Sequence, residues 1–147
     1  MNKMKKIMLA VILILLSVRV YAYDQNKLRM EWQVNLNSIP IVYSKDYLFE
    51  ASVDSGTFFT IFDLTNDCSQ QRYLSNRVLI VNNQPIKFSM SCFEGTPVFE
   101  ALTSKGVDFI YNEFITKNVV VIGNSKFSAK GFISALKQSE IIKKTAI

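Results

Sequence analysis

Several short runs in this chain alternate strictly between apolar and polar residues, and this constrains its fold more than any other feature. Successive side chains of a strand point to opposite faces, so a strand with one buried face reads with period two. Ile86-Lys87-Phe88-Ser89-Met90-Ser91-Cys92 puts Ile86, Phe88, Met90 and Cys92 on one face. Met30, Trp32, Val34 and Leu36 interleave in the same way with Glu31, Gln33 and Asn35, as do Tyr47, Phe49, Ala51 and Val53 with Leu48, Glu50 and Ser52. Ahead of Ile86 stand the apolar run Val78-Leu79-Ile80-Val81 and the turn residues Asn82-Asn83-Gln84-Pro85. Asparagine tolerates left-handed backbone angles, so the pair reads as a hairpin. Residues 57–62 follow a turn at Asp54-Ser55-Gly56, and two further apolar runs, 107–115 and 119–122, flank Thr116-Lys117-Asn118. Six or seven short strands at this spacing predict a mainly β domain of α+β class, a small antiparallel β-sandwich or barrel.

Two segments break the strand pattern. In Thr96-Pro97-Val98-Phe99-Glu100-Ala101-Leu102, Thr96 suits a cap, Pro97 suits a first helical position and Gly106 suits a stop, which predicts a short helix. From Ser128 as a cap, Phe132, Ala135, Leu136 and Ile142 fall on one side, with Lys130, Lys137 and Lys144 opposite. That spacing predicts a C-terminal helix with a solvated lysine face, and Lys143 and Lys144 complement its dipole.

The compartment follows from the first 22 residues. Lys3, Lys5 and Lys6 form a basic start, residues 7–18 are an apolar run, and Val20-Tyr21-Ala22 has the small-residue pattern of a cleavage site. Twelve apolar residues reach ~18 Å as a helix, short of the ~30 Å hydrocarbon core, so a cleaved signal peptide is favoured over a stable membrane anchor. The expected product is one domain, residues 23–147, periplasmic or secreted. Loss of Lys3, Lys5, Lys6 and Arg19 leaves 13 basic against 12 acidic residues, a net charge of +1, which argues against nucleic acid as a partner. Cys68 and Cys92 are the cysteines of the chain, and in an oxidising compartment they are expected to pair.

The absence of histidine removes Ser-His-Asp and Cys-His chemistry and any His-containing zinc site. No Gly-rich phosphate loop or calcium loop is present, so neither a cofactor nor a metal is expected. One catalytic reading survives. Val53-Asp54-Ser55-Gly56-Thr57 is similar to the hydrophobic-Asp-Ser/Thr-Gly motif of aspartic proteases, and Val121-Ile122-Gly123-Asn124 is similar to their hydrophobic-hydrophobic-Gly segment. With one copy per chain, a homodimer would have to bring two Asp54 carboxylates together to share a proton. Against this, Asp-Ser-Gly is also ordinary turn chemistry. The aromatic residues suggest a different role: adjacent Phe58 and Phe59 must face opposite sides of a strand, as must Phe114 and Ile115, so Phe58, Phe59 and Phe114 nominate an apolar surface for a protein partner.

The C-terminal half resembles the invasion-associated locus B protein family. The matching stretches are Asn83-Gln84-Pro85-Ile86-Lys87-Phe88-Ser89-Met90-Ser91-Cys92, Phe99-Glu100-Ala101-Leu102-Thr103-Ser104-Lys105-Gly106, and Phe127-Ser128-Ala129-Lys130-Gly131-Phe132-Ile133-Ser134-Ala135-Leu136, with Trp32 matching the family's opening Trp. The chain lacks the additional cysteines common in that family. The resemblance implies an exported bacterial domain tied to host contact or the envelope, with no catalytic site to transfer. The expected function is therefore non-catalytic binding, with the Asp54 hydrolase as its alternative.

Overall fold

In the computed structural model, residues 25–54, 57–70 and 75–146 are described, and the expected signal peptide, residues 1–22, lies outside them. Among the described residues, nine strands form one antiparallel sheet: β1 (Gln33–Val34), β2 (Pro40–Tyr43), β3 (Phe49–Asp54), β4 (Phe58–Asp63), β5 (Arg77–Val81), β6 (Gln84–Phe93), β7 (Thr96–Ala101), β8 (Val119–Ile122) and β9 (Ser125–Ser128). Their spatial order is β1-β2-β3-β4-β7-β6-β5-β8-β9. The helices among the described residues are α1 (Gln25–Leu28), α2 (Ser104–Thr116) and α3 (Phe132–Thr145). The sheet curls until its ends meet. Ser44, just past β2, bridges Phe127 of β9, and Lys45 N–H donates to the Lys126 carbonyl at 2.8 Å. The expectation of a sandwich or barrel thus resolves to a single curled sheet of barrel type.

The hairpin read from Asn82-Asn83 is present, with Val81 opposite Gln84 and φ of 44° and 72° at the two asparagines. Two positive φ values in a two-residue loop match the right-handed twist of the flanking strands. Along β6, Ile86 and Phe88 are buried as the alternation requires. The disulfide between Cys68 and Cys92 also forms, with a Cα–Cα distance of 5.8 Å.

Three expectations are corrected. First, Thr96–Ala101 is strand β7, not a helix, because Glu94 and Gly95 (φ 49° and 83°) turn the chain straight back along β6. Pro97 lies just past the stretch in which β7 pairs with β4, so its missing N–H costs no ladder bond there. Second, residues 107–115 belong to helix α2, not to a strand. Val107, Ile110 and Phe114 are its buried apolar side chains, at helical spacing. Thr103 caps this helix by accepting from Gly106 N–H at 3.1 Å, and Gly106 lies inside it: a Cβ there would sit 3.0 Å from Ile86 Cγ2, so a side chain would have to push Ile86 aside. Third, the run 30–36 pairs only at Gln33–Val34; Trp32 is buried, whereas Met30 and Leu36 are exposed.

The C-terminal helix exists, but its N-cap is Gly131 at φ 78° and not Ser128, which ends β9 and donates its hydroxyl to the Met30 carbonyl at 2.5 Å. Phe132, Ala135 and Ser139 are its buried residues, while Ile142 is on the exposed side. Helices α2 and α3 lie over one end of the curled sheet. There Trp32 meets Phe114 and Phe132 edge-on, with ring centroids 5.1 and 4.9 Å apart, and Phe114 stacks on Phe132 at 5.2 Å. Such pairs add ~0.5–1.5 kcal/mol each beyond their buried area. Trp32 Nε1–H donates to the Ser128 carbonyl at 2.9 Å, which satisfies the one polar atom that its burial would otherwise strand. This end of the sheet is therefore packed with interlocking aromatic rings.

Candidate functional site

The opposite end is open, and the register explains why. Strands β8 and β9 have four residues each, and their turn at Gly123 (φ 60°) stops beside β5, where Gly123 N–H donates to the Ile80 carbonyl at 2.8 Å. Val81 with Ile122 is the pair that joins β5 to β8. Beyond that point β5 has no strand from β8 beside it. The inward rows of the sheet consequently end in a cup of about 360 Å³, walled by Phe49, Ile61, Leu79, Phe99, Ile122 and Phe127. Phe49, Leu79 and Phe99 are only partly buried: they pack against the core on one side and border this space on the other.

Two aspartates stand at the mouth. Asp46 accepts from Ser44 Oγ at 2.5 Å, Leu48 N–H at 3.2 Å and Ser125 Oγ at 3.2 Å, which fixes the turn between β2 and β3. Asp63 ends β4 and accepts from Thr65 N–H at 2.9 Å, Thr65 Oγ1 at 2.7 Å and Asn66 Nδ2 at 2.7 Å. Burial pushes both carboxyls up, but their hydrogen bonds outweigh it and hold both below the ordinary carboxylate value. Both rim groups are therefore anionic at neutral pH.

A larger concavity, about 690 Å³, lies where the β5–β6 turn meets α2, but it is an open groove whose polar groups already hold the structure together. Asn82 Nδ2 donates to Glu113 Oε2 at 2.6 Å, and Asn82 Oδ1 accepts from Val121 N–H at 2.8 Å. These bonds tie the turn to α2 and β8. The smaller cup is the better ligand site because it is more enclosed and its walls are apolar, with polar groups confined to its mouth.

The residues nominated from sequence fall elsewhere. Asp54 is at the exposed end of β3, where Lys143 Nζ of α3 meets its Oδ1 at 2.8 Å. Cys68 and Cys92 are joined, and Cys68 N–H donates to the Gly95 carbonyl at 2.9 Å, so they pin the β4–β5 connection to the β6–β7 turn. Phe58, Phe59 and Phe114 do not share a surface. Phe58 is exposed, whereas Phe59 and Phe114 pack together in the core at 5.8 Å, since α2 covers the inner face of β4. Sequence reading missed Phe49, Leu79, Phe99, Asp46 and Asp63 as a group. The usable signal was the Asp63-Leu64-Thr65-Asn66 turn, with its side-chain-to-backbone bond, at the end of an apolar strand. Among the described residues, no group of three or more His, Cys, Asp or Glu side chains is placed to hold a metal ion. Compared with family models, curated proteins and solved structures, the chain matches none.

Proposed function

We propose that this protein is an exported, non-catalytic binding domain of the periplasm or the extracellular space, and that its binding element is the apolar cup at the open end of the curled sheet. The observation that carries this reading is the contrast between the two ends. One is packed with interlocking aromatic rings, and the other leaves about 360 Å³ bounded by apolar side chains. The mouth of a barrel-like sheet is a favoured ligand position, and this volume falls within the usual range for small-molecule sites. Export is supported by the leader and by the disulfide, and an envelope or host-contact role by the resemblance to the invasion-associated locus B family. The hydrolase reading gains no such support: Asp54 stands at the exposed end of β3 in an ion pair with Lys143.

The test uses the mature domain and the neutral fluorescent dye N-phenyl-1-naphthylamine. The dye should brighten on binding, and Leu79→Trp, which fills the cup, should weaken its binding at least about tenfold while the circular dichroism spectrum stays unchanged. Equal dye binding by a folded Leu79→Trp variant would refute the cup as the site. Asp54→Asn should leave dye binding unchanged. Acid-range peptide cleavage by the wild type that Asp54→Asn abolishes would establish the hydrolase instead.

A further inference from the structure

Building on the binding reading above, we infer that the cup takes a small cationic amphiphile: an alkyl or aryl body of about the volume of eight to ten carbons carrying an ammonium-type head. The body is set by the walls. A space of about 360 Å³ holds roughly a dozen water-sized groups at ~30 Å³ each, and its walls are Phe49, Ile61, Leu79, Phe99, Ile122 and Phe127. The head is set by the mouth. Asp46 and Asp63 are both anionic there, and among the described residues neither makes an ion pair.

The carboxylates are also held in place: Asp46 accepts from Ser44, Leu48 and Ser125, and Asp63 accepts from Thr65 and Asn66, on both oxygens in each case. A cation therefore meets charge that is ordered before it arrives.

Neighbouring cations do not cancel this field from inside the cup. Lys45 and Lys126 are exposed and flank the inward-facing Ser44 and Phe127, so alternation turns them outward. Arg77 has the same parity on β5 as Leu79, but it is exposed at the strand's outer end and is not part of the wall.

Three probes of equal body test the inference: octylammonium, octanol and octanoate, titrated into the mature domain at low salt and followed by amide chemical shifts. Octylammonium should bind at least about fivefold more tightly than octanol, and octanoate more weakly than octanol. The preference should shrink as salt rises from 20 to ~500 mM, since rim charges are screened. Asp46→Asn should reduce the ammonium-to-octanol ratio at least about twofold. Because Asp46 also orders a turn, the salt series on the wild type stands as an independent measurement should the variant fail to fold. If octanol binds as well as octylammonium, this inference fails and the cup reading stands; if none of the three binds, the cup reading itself fails.

Discussion

Removal of the disulfide should have the largest effect on stability, and its size can be worked from the geometry. Cys68 and Cys92 are 24 residues apart, and joining them removes loop-closure entropy from the unfolded chain. For a loop of this length the chain-entropy relation gives ~12 cal/mol/K, or about 3.5 kcal/mol at 25 °C. That is a large share of the ~5–15 kcal/mol that separates a typical domain from its unfolded state. The native geometry supports nearly the full value, because Cys68 is already fixed by burial and by its N–H bond to the Gly95 carbonyl. The test is urea unfolding of the mature wild type, oxidised and reduced, beside Cys68→Ala/Cys92→Ala. Alanine is chosen because a serine hydroxyl at position 68 would be buried without a designed partner.

The oxidised protein should be more stable by about 3–4 kcal/mol, with Tm higher by roughly 10–18 °C for a chain of this length. The m-value should rise when the link is absent, because an unlinked unfolded chain exposes more surface. Loss of less than ~1 kcal/mol with unchanged m would refute the reasoning, since the 68–92 segment would then be restrained equally without the bond. A large loss would also give export a physical consequence. The domain reaches its full stability only where thiols are oxidised.

Two further perturbations probe local claims. Gly131→Ala puts a side chain at φ 78° with its Cβ 3.1 Å from the Trp32 carbonyl oxygen, and should cost about 1–3 kcal/mol and shift Trp32 emission; a loss under ~0.5 kcal/mol would show that this corner yields without strain. Glu50, opposite Tyr43 on β2, is raised by burial above its ordinary value of 4.5, although the Tyr43 hydroxyl pulls the other way. Its stabilising contribution is thus fully present below pH 4.5 and lost as pH rises through the raised folded value, so Glu50→Gln should gain stability relative to wild type at pH 7 and lose that advantage at pH 4. Thermal melts at the two pH values read the sign, and an advantage independent of pH would refute it.

How legible each part was depends on whether its cause is local. The β5–β6 hairpin could be read because two adjacent asparagines fix the turn and alternation fixes the faces. The disulfide could be read because compartment and cysteine number leave one natural partner. Residues 96–102 were misread for the opposite reason. Thr96 and Pro97 carry helix-start chemistry, but the Glu94-Gly95 turn and the pairing with β6 and β4 override it through distant partners. In residues 107–115, the interposed Phe109, Tyr111 and Ile115 hid the Val107, Ile110 and Phe114 spacing of the helix.

The cup is the least legible part because it arises from where strands stop, not from what any residue prefers. Phe49, Ile61, Leu79 and Phe99 belong to rows that, toward the other end, pack against the rings of α2 and α3; each would be ordinary core if those rows were capped on both sides. What leaves them open is the four-residue length of β8 and β9 together with the Val81–Ile122 register, which places Gly123 beside Ile80. A lengthened β8–β9 hairpin would extend the wall along β5 and narrow the opening, burying Leu79 while changing the rim only at its Gly123-Asn124 turn. Such a variant should gain stability from the added apolar contact and lose the space that a ligand would fill, which ties the stability of this end of the sheet to its capacity to bind.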